Sequence, residues 1–573
     1  MRLRFWISLS LMTLIALHSM CDVPITESIV LPQKVMWTSG SVSDSENLLE
    51  PFSGQVAVSD TRFTVMRSLN AATASILLDF GKEYHGALKI FAGIRSSKKA
   101  ARLRITLGES VTEAMSRIDR DTEKNPTNDH AVREMVVEVP WLGAVNTGNS
   151  GFRFARLDLL DTDIDFKLKA IQLLARERHY DYLGTFSCSD PVLNDIWQTS
   201  ARTVQLNMQE YIWDGIKRDR LVWLGDLNPE ILVACNVFGG QSWELIHRSL
   251  DFGCDAYPLP KFINDMSSYS LWWIINQHDL YLYEGNKDYL SKQLPYLRGL
   301  VNLFSTLIDH ETGEERIPGG FLDWPTSQMP EVIHAGMQSL ALIAMDDAER
   351  IAGWLGNKDL AKQSADLASI LRRHHPNCLD NTQALSLNIL SGLTTDAKTD
   401  AGIILQNGLE QYSTFFGYYT SEALAAGGHT TEALRNIKDY WGGMLALGAT
   451  SFWEDFSFAD AQGCGRIDGF VPEGMRDIHS QGGDYCYKGL RLSMCHGWAG
   501  GPAAWLIGHI LGVSPAEPGC KTVYFEPNLG DLDHAEGSFP TPHGIIKVKL
   551  TKRPDGTVNK KITLPKGVKI VKR

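Results

Sequence analysis

The fourteen residues WDGIKRDRLVWLGD at positions 213–226 hold three carboxylates, three cations and two tryptophans. A folding core rarely contains such a mixture, because buried charges must be paired and are costly to desolvate. A site that cleaves a sugar chain uses every component: carboxylates transfer protons, arginines orient carboxylates, and indole rings stack on the apolar face of a pyranose. A solvated loop with chance charge pairing is the alternative. The flanking Trp213 and Trp223 favour a ligand site, because an exposed tryptophan is unusual without a role.

The composition excludes some classes of partner. The chain has 573 residues with 44% hydrophobic and 21% charged residues, which predicts a multidomain globular protein with a large core. The net charge is −12 and no basic stripe is interleaved with aromatic residues, so nucleic acid and anionic membranes are not expected as partners.

The N-terminus is typical of an export signal. Arg2 and Arg4 precede an almost uncharged apolar run that ends near Leu17, too short to span a bilayer. We predict a signal peptide over residues 1–21 and a periplasmic, cell-surface or secreted protein. Cleavage of a plain secretory signal and lipidation at Cys21 both remain open, because His18 stands where a lipoprotein signal usually has an aliphatic residue. We expect no transmembrane segment.

The other eight cysteines form no C-x-x-C pair, which argues against a structural zinc site, and we predict neither metal ligands nor a cofactor. Disulfides are optional in a chain of this size.

The residue pattern divides the remaining chain into three regions. Strand-like alternation, as at Leu103, Ile105 and Leu107, predicts a β-sandwich unit over residues 24–180. After a helix start at Ser189-Asp190-Pro191 the period becomes helical, and residues 188–514 have room for roughly twelve helices at ordinary lengths. A closed ring of helix pairs and an open α-solenoid both fit that count. Strand signals return in a small C-terminal β-domain over residues 516–573.

Three further stretches offer carboxylates or imidazole beside tryptophan. Glu454 follows Trp453 in an aromatic run, where desolvation is expected to raise its pKa. Asp323 precedes Trp324 after a glycine turn, and His496 and Trp498 share a glycine-flanked turn. Taken singly, each fits a structural residue as well as a sugar contact. Cleavage of a glycosidic bond, however, needs only two carboxyl groups, one on each side of the bond.

In this order the segments resemble the family 78 glycoside hydrolases, the bacterial α-L-rhamnosidases. The family pattern runs D-C-P-x-R-D-E-R-x-x-W-x-G-D, then G-D-W, then A-T-x-x-W-E, then an N-H-Y-type turn. The segments of this chain that correspond to these motifs, in the same order, are residues 214–226, Asp323-Trp324, residues 449–454 and residues 495–498. The flanking Leu78-Asp-Phe-Gly81 and residues 184–190 and 540–544 are also similar to the family.

The resemblance implies a multidomain α plus β architecture, with an (α/α)6 barrel between the N-terminal β-sandwich and the C-terminal β-domain. It also implies an exported, inverting exo-glycosidase that releases terminal α-L-rhamnose or a close relative from an oligosaccharide or polysaccharide. Glu454 takes the place of the general base and Asp219 that of the general acid. The predicted substrate-binding residues are Asp214, Arg218, Trp223, Asp226, Asp323, Trp324, Trp453, His496 and Trp498.

One departure from the family pattern concerns the acid, because the family has Glu where this chain has Asp219. Aspartate is one methylene shorter, and two flanking cations favour its ionised form unless Arg218 and Arg220 point elsewhere. Three outcomes are open: Asp219 serves, the backbone compensates, or activity on ordinary rhamnosides is lost. A non-catalytic glycan-binding protein on the same scaffold, and a different barrel enzyme such as an uronyl hydrolase or polysaccharide lyase, are the alternatives.

Overall fold

The computed structural model describes residues 22–69, 72–95, 99–162, 164–482 and 486–572. The predicted signal segment, residues 1–21 with Cys21, lies outside them. Among these residues no helix combines the length and apolar character needed to cross a membrane. The eight cysteines in this part of the chain are free thiols.

The N-terminal region is a β unit with one short helix. Hydrogen bonds join its ten strands into a single sheet. They are β1 (Ile25–Val30), β2 (Lys34–Ser39), β3 (Ser41–Ser43), β4 (Thr64–Arg67), β5 (Ser75–Ala92), β6 (Ala101–Gly108), β7 (Glu134–Val139), β8 (Gly143–Asn146), β9 (Ser150–Leu159) and β10 (Phe166–Arg178), and helix α1 (Val111–Met115) follows β6.

The long strand β5 lets this sheet fold around one core. Its first half pairs with β2 and β9, and its second half pairs with β10 and β8, with a register shift between Asp79 and Tyr84. Side chains from both halves of β5 and from β6, β9 and β10 share the core, where Leu103, Ile105 and Leu107 are buried as their alternation predicts. The expected strands are therefore present, and the two layers share β5 instead of forming separate sheets.

The central region contains twelve helical segments of at least ten residues among the described residues. They are α2 (Pro191–Asn207), α3 (Leu227–Val237), α4 (Trp243–Ala256), α5 (Ser267–Glu284), α6 (Lys287–Ser305), α7 (Pro330–Trp354), α8 (Lys358–Leu371), α9 (Thr382–Ser391), α10 (Ala397–Asn407), α11 (Gly417–Ala426), α12 (Thr430–Ala446), and, after the four-residue α13 (Ile478–Gln481), α14 (Pro502–Trp505), which continues as a π-helix through Leu511. The first begins where the sequence predicts, because the Asp190 carboxylate accepts the Val192 N–H and Pro191 occupies the first turn.

Alternate helices close into an inner ring. Helix α3 contacts α5, α5 contacts α7, α7 contacts α9, α9 contacts α11, α11 contacts α14, and α14 returns to α3. The intervening helices lie outside this ring. This closure distinguishes a six-hairpin barrel from a solenoid, which periodicity alone could not do.

Two short strands after α12, β12 (Cys464–Gly465) and β13 (Arg476–Asp477), pair in parallel. The C-terminal β-domain contains β14 (Val513–Pro515), β15 (Thr522–Phe525), β16 (His534–Thr541), β17 (Gly544–Lys552), β18 (Val558–Thr563) and β19 (Lys569–Val571). Strand β11 (Thr185–Cys188), which the sequence suggests as the barrel entry, pairs with β16. The chain thus crosses the C-terminal sheet before it enters the barrel, and this edge strand ties the two ends of the barrel region together.

Candidate active site

A cavity of about 490 Å³, including its open mouth, lies where the inner helices α3, α5, α7 and α14 begin. Its walls come from the segments that precede these helices and from the loop after α12. The lining residues are Asp214, Asp219, Trp223, Asp226, Met266, Tyr269, Phe321, Trp324, Glu454, Tyr487, His496 and Trp498. Eight of the eleven residues predicted for the site therefore meet around one space.

Glu454 has both carboxylate oxygens fixed. Oε1 accepts from Arg218 Nη2 at 2.5 Å and from the Cys486 thiol at 3.2 Å, and Oε2 accepts the Ser493 N–H at 3.0 Å. The residue is only 2% exposed, so this orientation is enforced by packing as well as by hydrogen bonds.

The sequence-based expectation of a raised pKa at Glu454 is wrong in direction. Burial does raise the pKa of Glu454, but the Arg218 guanidinium, His496 and the Ser493 N–H together lower it more, so the net pKa lies below the ordinary value. The cause is a cation from a loop more than two hundred residues earlier, which the neighbourhood of Glu454 in sequence could not reveal. An ionised carboxylate in the cavity is the protonation state that a base requires.

Asp219 is held by two groups. Arg218 Nη1 lies 2.9 Å from its Oδ1, and His130 Nδ1 lies 3.0 Å from the same oxygen. Of the two flanking cations, Arg220 points away and donates to the Asn149 carbonyl at 3.1 Å. Asp219 and Arg220 have φ angles of 55° and 56°, in the left-handed region, and Asp219 is one of the residues that line the cavity.

The other two aspartates are buried acids. Burial raises the pKa of Asp226 to about 8, against the effect of the Tyr269 hydroxyl, which donates to Oδ1 at 2.6 Å. Burial, and then the charge of Asp219, raise the pKa of Asp214 well above its ordinary value. One turn into α3, burial does the same to Glu230. A pKa of about 8 keeps Asp226 mostly protonated at neutral pH, beside the ionised Glu454.

His496 lies between three of these carboxyl groups. Its Nε2 is 3.9 Å from Asp214 Oδ2, 4.0 Å from Asp226 Oδ2 and 4.0 Å from Glu454 Oε1. Burial lowers the pKa of His496 to about 4 despite the nearby Glu454 charge, so the imidazole is neutral. A neutral ring can donate one hydrogen bond and accept another, which suits contact with a sugar hydroxyl.

Three indole rings contribute the apolar walls. Measured between ring centroids, Trp498 lies 4.0 Å from His496, Trp223 lies edge-on to Tyr269 at 6.2 Å, and Trp324 lies 5.7 Å from Tyr487. Carboxyl groups beside indole faces match the mixed polar and apolar surface of a sugar ring.

Three predicted substrate contacts lie behind the cavity wall instead of lining it. Asp323 accepts hydrogen bonds from Ser413 and Gln383, which anchor the turn that presents Trp324. Trp453 is packed against Phe456 and is 1% exposed. Arg218 is not a lining residue; it pairs with Asp219 and Glu454 and lies over the Tyr487 ring. These positions support the lining residues, and we place them outside the cavity surface.

Lys217, in the middle of the opening stretch, serves a buried ionic cluster. Its ammonium lies 2.9 Å from Glu109 Oε2 and 3.2 Å from Glu113 Oε1, both in the N-terminal β unit, and donates to the Leu492 carbonyl at 2.5 Å. Glu109 in turn accepts the Met494 N–H at 2.6 Å, two residues before His496. Glu109, Glu113 and His479 are metal-ligating residue types, but Lys217 already supplies the positive charge among them.

Sequence reasoning missed the residues that other segments bring to the site. Tyr269, Cys486 and His130 contact the predicted carboxylates, and the Tyr487 ring lies under the Arg218 guanidinium, yet none of the four stands in a recognisable motif. The charged loop at 119–129 gave a weak signal, since Asp129 pairs with Arg491 and the next residue is His130.

Two family models match the chain. The bacterial α-L-rhamnosidase six-hairpin glycosidase domain covers residues 181–411, and the bacterial α-L-rhamnosidase C-terminal domain covers residues 512–571. Together they include just over half of the chain, with Asp214, Asp219 and Asp226 inside the first match. Glu454 and His496 lie between the two matched segments.

Similar proteins extend over most of the chain. An α-L-rhamnosidase of Alteromonas sp. (strain LOR) is 25% identical over 457 residues, which are 71% of this chain and 46% of that protein. A GH78 family rhamnosidase of Bacillus sp. GL1 has a TM-score of 0.72 at 20% identity, covering 91% of this chain and 55% of the other. A Klebsiella oxytoca rhamnosidase with rhamnose bound has a TM-score of 0.64 at 20% identity, covering 85% and 96%. This chain spans about half the length of the curated relative.

Proposed function

This chain belongs to the bacterial α-L-rhamnosidase family, and we propose that it hydrolyses the bond joining a terminal α-L-rhamnose, or a closely related sugar, to the rest of a glycan. The observation that carries the proposal is the convergence of Asp219 and Glu454 on one indole-walled cavity from distant parts of the chain. Two carboxyl groups that flank the scissile bond are the minimal machinery for this reaction.

In the proposed mechanism Glu454 is the general base. Its carboxylate removes a proton from a water molecule, whose oxygen forms a bond to the anomeric carbon on the face opposite the leaving group. The pairing with Arg218 keeps Glu454 ionised and fixes Oε1, and the contacts from Cys486 and Ser493 hold the carboxylate in one orientation. The result is inversion at the anomeric carbon.

Asp219 is the general acid. As the glycosidic bond breaks, Asp219 gives its proton to the leaving oxygen, which takes the bonding electron pair. His130 and Arg218 hold the Asp219 carboxyl in place. We assign sugar-hydroxyl contacts to Asp214, Asp226 and His496, and ring stacking to Trp223, Trp324 and Trp498.

A non-catalytic glycan-binding role is the second candidate, and one observation favours it. Asp219 is one methylene shorter than the family's glutamate, and its Oδ1 is already engaged by Arg218 and His130. Under this alternative the cavity binds rhamnose but releases no product.

The test is hydrolysis of nitrophenyl α-L-rhamnoside alongside other nitrophenyl glycosides by the wild type, Glu454→Gln and a control variant, Glu410→Gln. Glu410 is an exposed glutamate on the barrel surface. We expect wild-type turnover on the rhamnoside, its loss in Glu454→Gln with sugar binding retained in calorimetry, and normal activity in Glu410→Gln. Binding without turnover by the wild type would establish the glycan-binding role. Undiminished turnover by Glu454→Gln would contradict the assigned base.

We also propose that residues 1–21 direct export and that Cys21 is either the first residue after cleavage of a lipoprotein signal or adjacent to a plain cleavage site. Fractionation of cells that produce the wild type or Cys21→Ser separates these cases. A membrane-associated wild type and a released variant indicate lipidation, a released pair indicates simple secretion, and retention of both in the cytoplasm contradicts export.

A further inference from the structure

Two histidines and a glutamate meet outside the cavity, where the loop between α6 and α7, the first turns of α7 and the residues just after α8 come together. His334 Nε2 lies 3.3 Å from His374 Nε2 and 3.9 Å from Glu314 Oε1. One ligand atom from each residue lies within 4.8 Å of the others. None of the three residues lines the catalytic cavity.

The spacing fits one metal ion held by both imidazoles. Two nitrogens that are 3.3 Å apart, each about 2.1 Å from a zinc ion, subtend an angle of about 104° at the metal, close to tetrahedral. Glu314 Oε1, which lies 3.9 Å from His334 Nε2, can supply a third ligand. The side chains are partly exposed, so a water molecule can complete the coordination.

A buried carboxylate orients the first imidazole. Glu315 Oε1 lies 2.6 Å from His334 Nδ1, while Glu315 Oε2 accepts the Ile317 N–H at 2.7 Å. This contact favours the tautomer with the proton on Nδ1, which leaves the Nε2 lone pair directed at His374 and Glu314. Carboxylate–histidine pairs of this kind fix metal-bound histidines in many proteins.

The three ligand-bearing segments are already fastened together beneath the cluster. Gln338, one helical turn after His334, donates from Nε2 to the carbonyls of Gly313 and Leu371, both at 2.8 Å. Gly313 adjoins Glu314, and Leu371 lies three residues before His374. The ligand positions are therefore fixed by the fold before any metal arrives. Arg316 Nη2 lies 3.6 Å from the other oxygen of Glu314, Oε2, and is closer to Asp309 Oδ2, at 2.6 Å.

We propose that Glu314, His334 and His374 bind one divalent transition-metal ion, with Zn²⁺ as the best match. Imidazole nitrogen with a single carboxylate suits zinc and its neighbours in the series, and it disfavours Ca²⁺ and Mg²⁺, which prefer all-oxygen shells. The ion would join the loop that carries Glu314 to α7 and to the residues after α8, and this loop continues to Asp323 and Trp324 at the cavity. No short sequence motif indicates this site, because its ligands are two histidines and a glutamate separated by 20 and 40 residues.

The test is a calorimetric titration with Zn²⁺ as the titrant. The protein is the full chain without a polyhistidine tag, freed of metal with a chelator. We expect one equivalent to bind in the presence of excess Ca²⁺ and Mg²⁺. His334→Asn and His374→Asn should each remove this binding, and Glu315→Gln should weaken it by about 10- to 100-fold. His543→Gln, at an exposed turn far along the chain, is the matched histidine control and should bind normally.

Circular dichroism of each variant establishes that it is folded, and the half-exposed His374 provides a second variant if His334→Asn misfolds. Co²⁺ in place of Zn²⁺ should give the intense visible absorption of a tetrahedral site in the wild type and the control only. Failure of the wild type to bind one equivalent of Zn²⁺, or equal binding by folded His374→Asn, would overturn the proposal and leave a simple imidazole–imidazole hydrogen bond. Neither result bears on rhamnoside hydrolysis.

Discussion

The Arg218 guanidinium donates to Glu454 Oε1 at 2.5 Å, although the two residues are separated by 236 positions in the chain. This contact sets the charge state of the proposed base. Without the cation, burial alone would favour the protonated form of Glu454, because a buried carboxylate loses its hydration. In the proposed mechanism Arg218 therefore acts through Glu454 as a positioning residue.

Replacement of Arg218 by glutamine is expected to raise the pKa of Glu454, since burial then acts without the compensating charge. The acidic limb of the pH profile of kcat/KM should move to higher pH, and the buried carboxylate should cost about 3–5 kcal/mol of folding stability. Arg218→Lys should retain the charge and shift the limb less. Arg435→Gln breaks an exposed ion pair with Asp531 and serves as control. An unmoved acidic limb in Arg218→Gln would argue against this coupling.

Substitution of Asp219 tests the acid through the leaving group. Asp219→Asn cannot donate a proton, so hydrolysis of a rhamnoside with a poor alcohol leaving group should fall by about 10²- to 10⁴-fold. Nitrophenolate leaves with little need of protonation, and the loss on that substrate should be much smaller. Comparable losses on both substrates would assign Asp219 a structural role. Asp219→Glu, which restores the family's residue, should retain activity on both.

The pKa of about 8 at Asp226 predicts a specific dependence of stability on pH. An unfolded aspartate loses its proton near pH 4, whereas the folded one keeps its proton until about pH 8. Between these pH values the folded state binds one more proton than the unfolded state. As pH rises through this window, Asp226 should therefore lower the free energy of unfolding by about 1.4 kcal/mol per pH unit.

Asp226→Asn is the matched neutral variant, because its Oδ1 can still accept from Tyr269. The free energy of unfolding, measured in urea from pH 5 to pH 8, should depend less steeply on pH in this variant than in the wild type. Parallel curves would mean that Asp226 is ionised in the folded protein.

Lys217→Met should destabilise the protein by about 3–5 kcal/mol, because Glu109 and Glu113 would remain buried without their ammonium partner. Since Glu109 also accepts the Met494 N–H near His496, the loss of packing between the β unit and the barrel should lower kcat as well. The measurement is urea denaturation, with Lys362→Met as an exposed lysine control. A loss below 1 kcal/mol would show that the cluster is well hydrated.

The sequence predicted the barrel and its acidic loop better than it predicted the contacts between the site and other segments. The spacing of Asp214, Asp219 and Asp226 survives in the structure because one loop carries all three into the same cavity. The capping pattern Ser189-Asp190-Pro191 located the start of α2, because the Asp190 carboxylate accepts the Val192 N–H there. The roles of Lys217 and His130 could not be read in this way. They depend on how a separate β unit docks on the barrel, and no local pattern records that docking. For the same reason the family resemblance placed Asp323 and Trp453 near the site but could not tell that both lie behind its wall.

Proton NMR of the first sugar released from an α-L-rhamnoside tests the central claim most directly, because the role of Glu454 as base to a water fixes the stereochemistry. The β-anomer should appear first and convert to the equilibrium mixture only by mutarotation. Initial release of the α-anomer would require a covalent or retaining route, and it would contradict the assignment of Asp219 and Glu454 as an acid and base on opposite faces of the sugar.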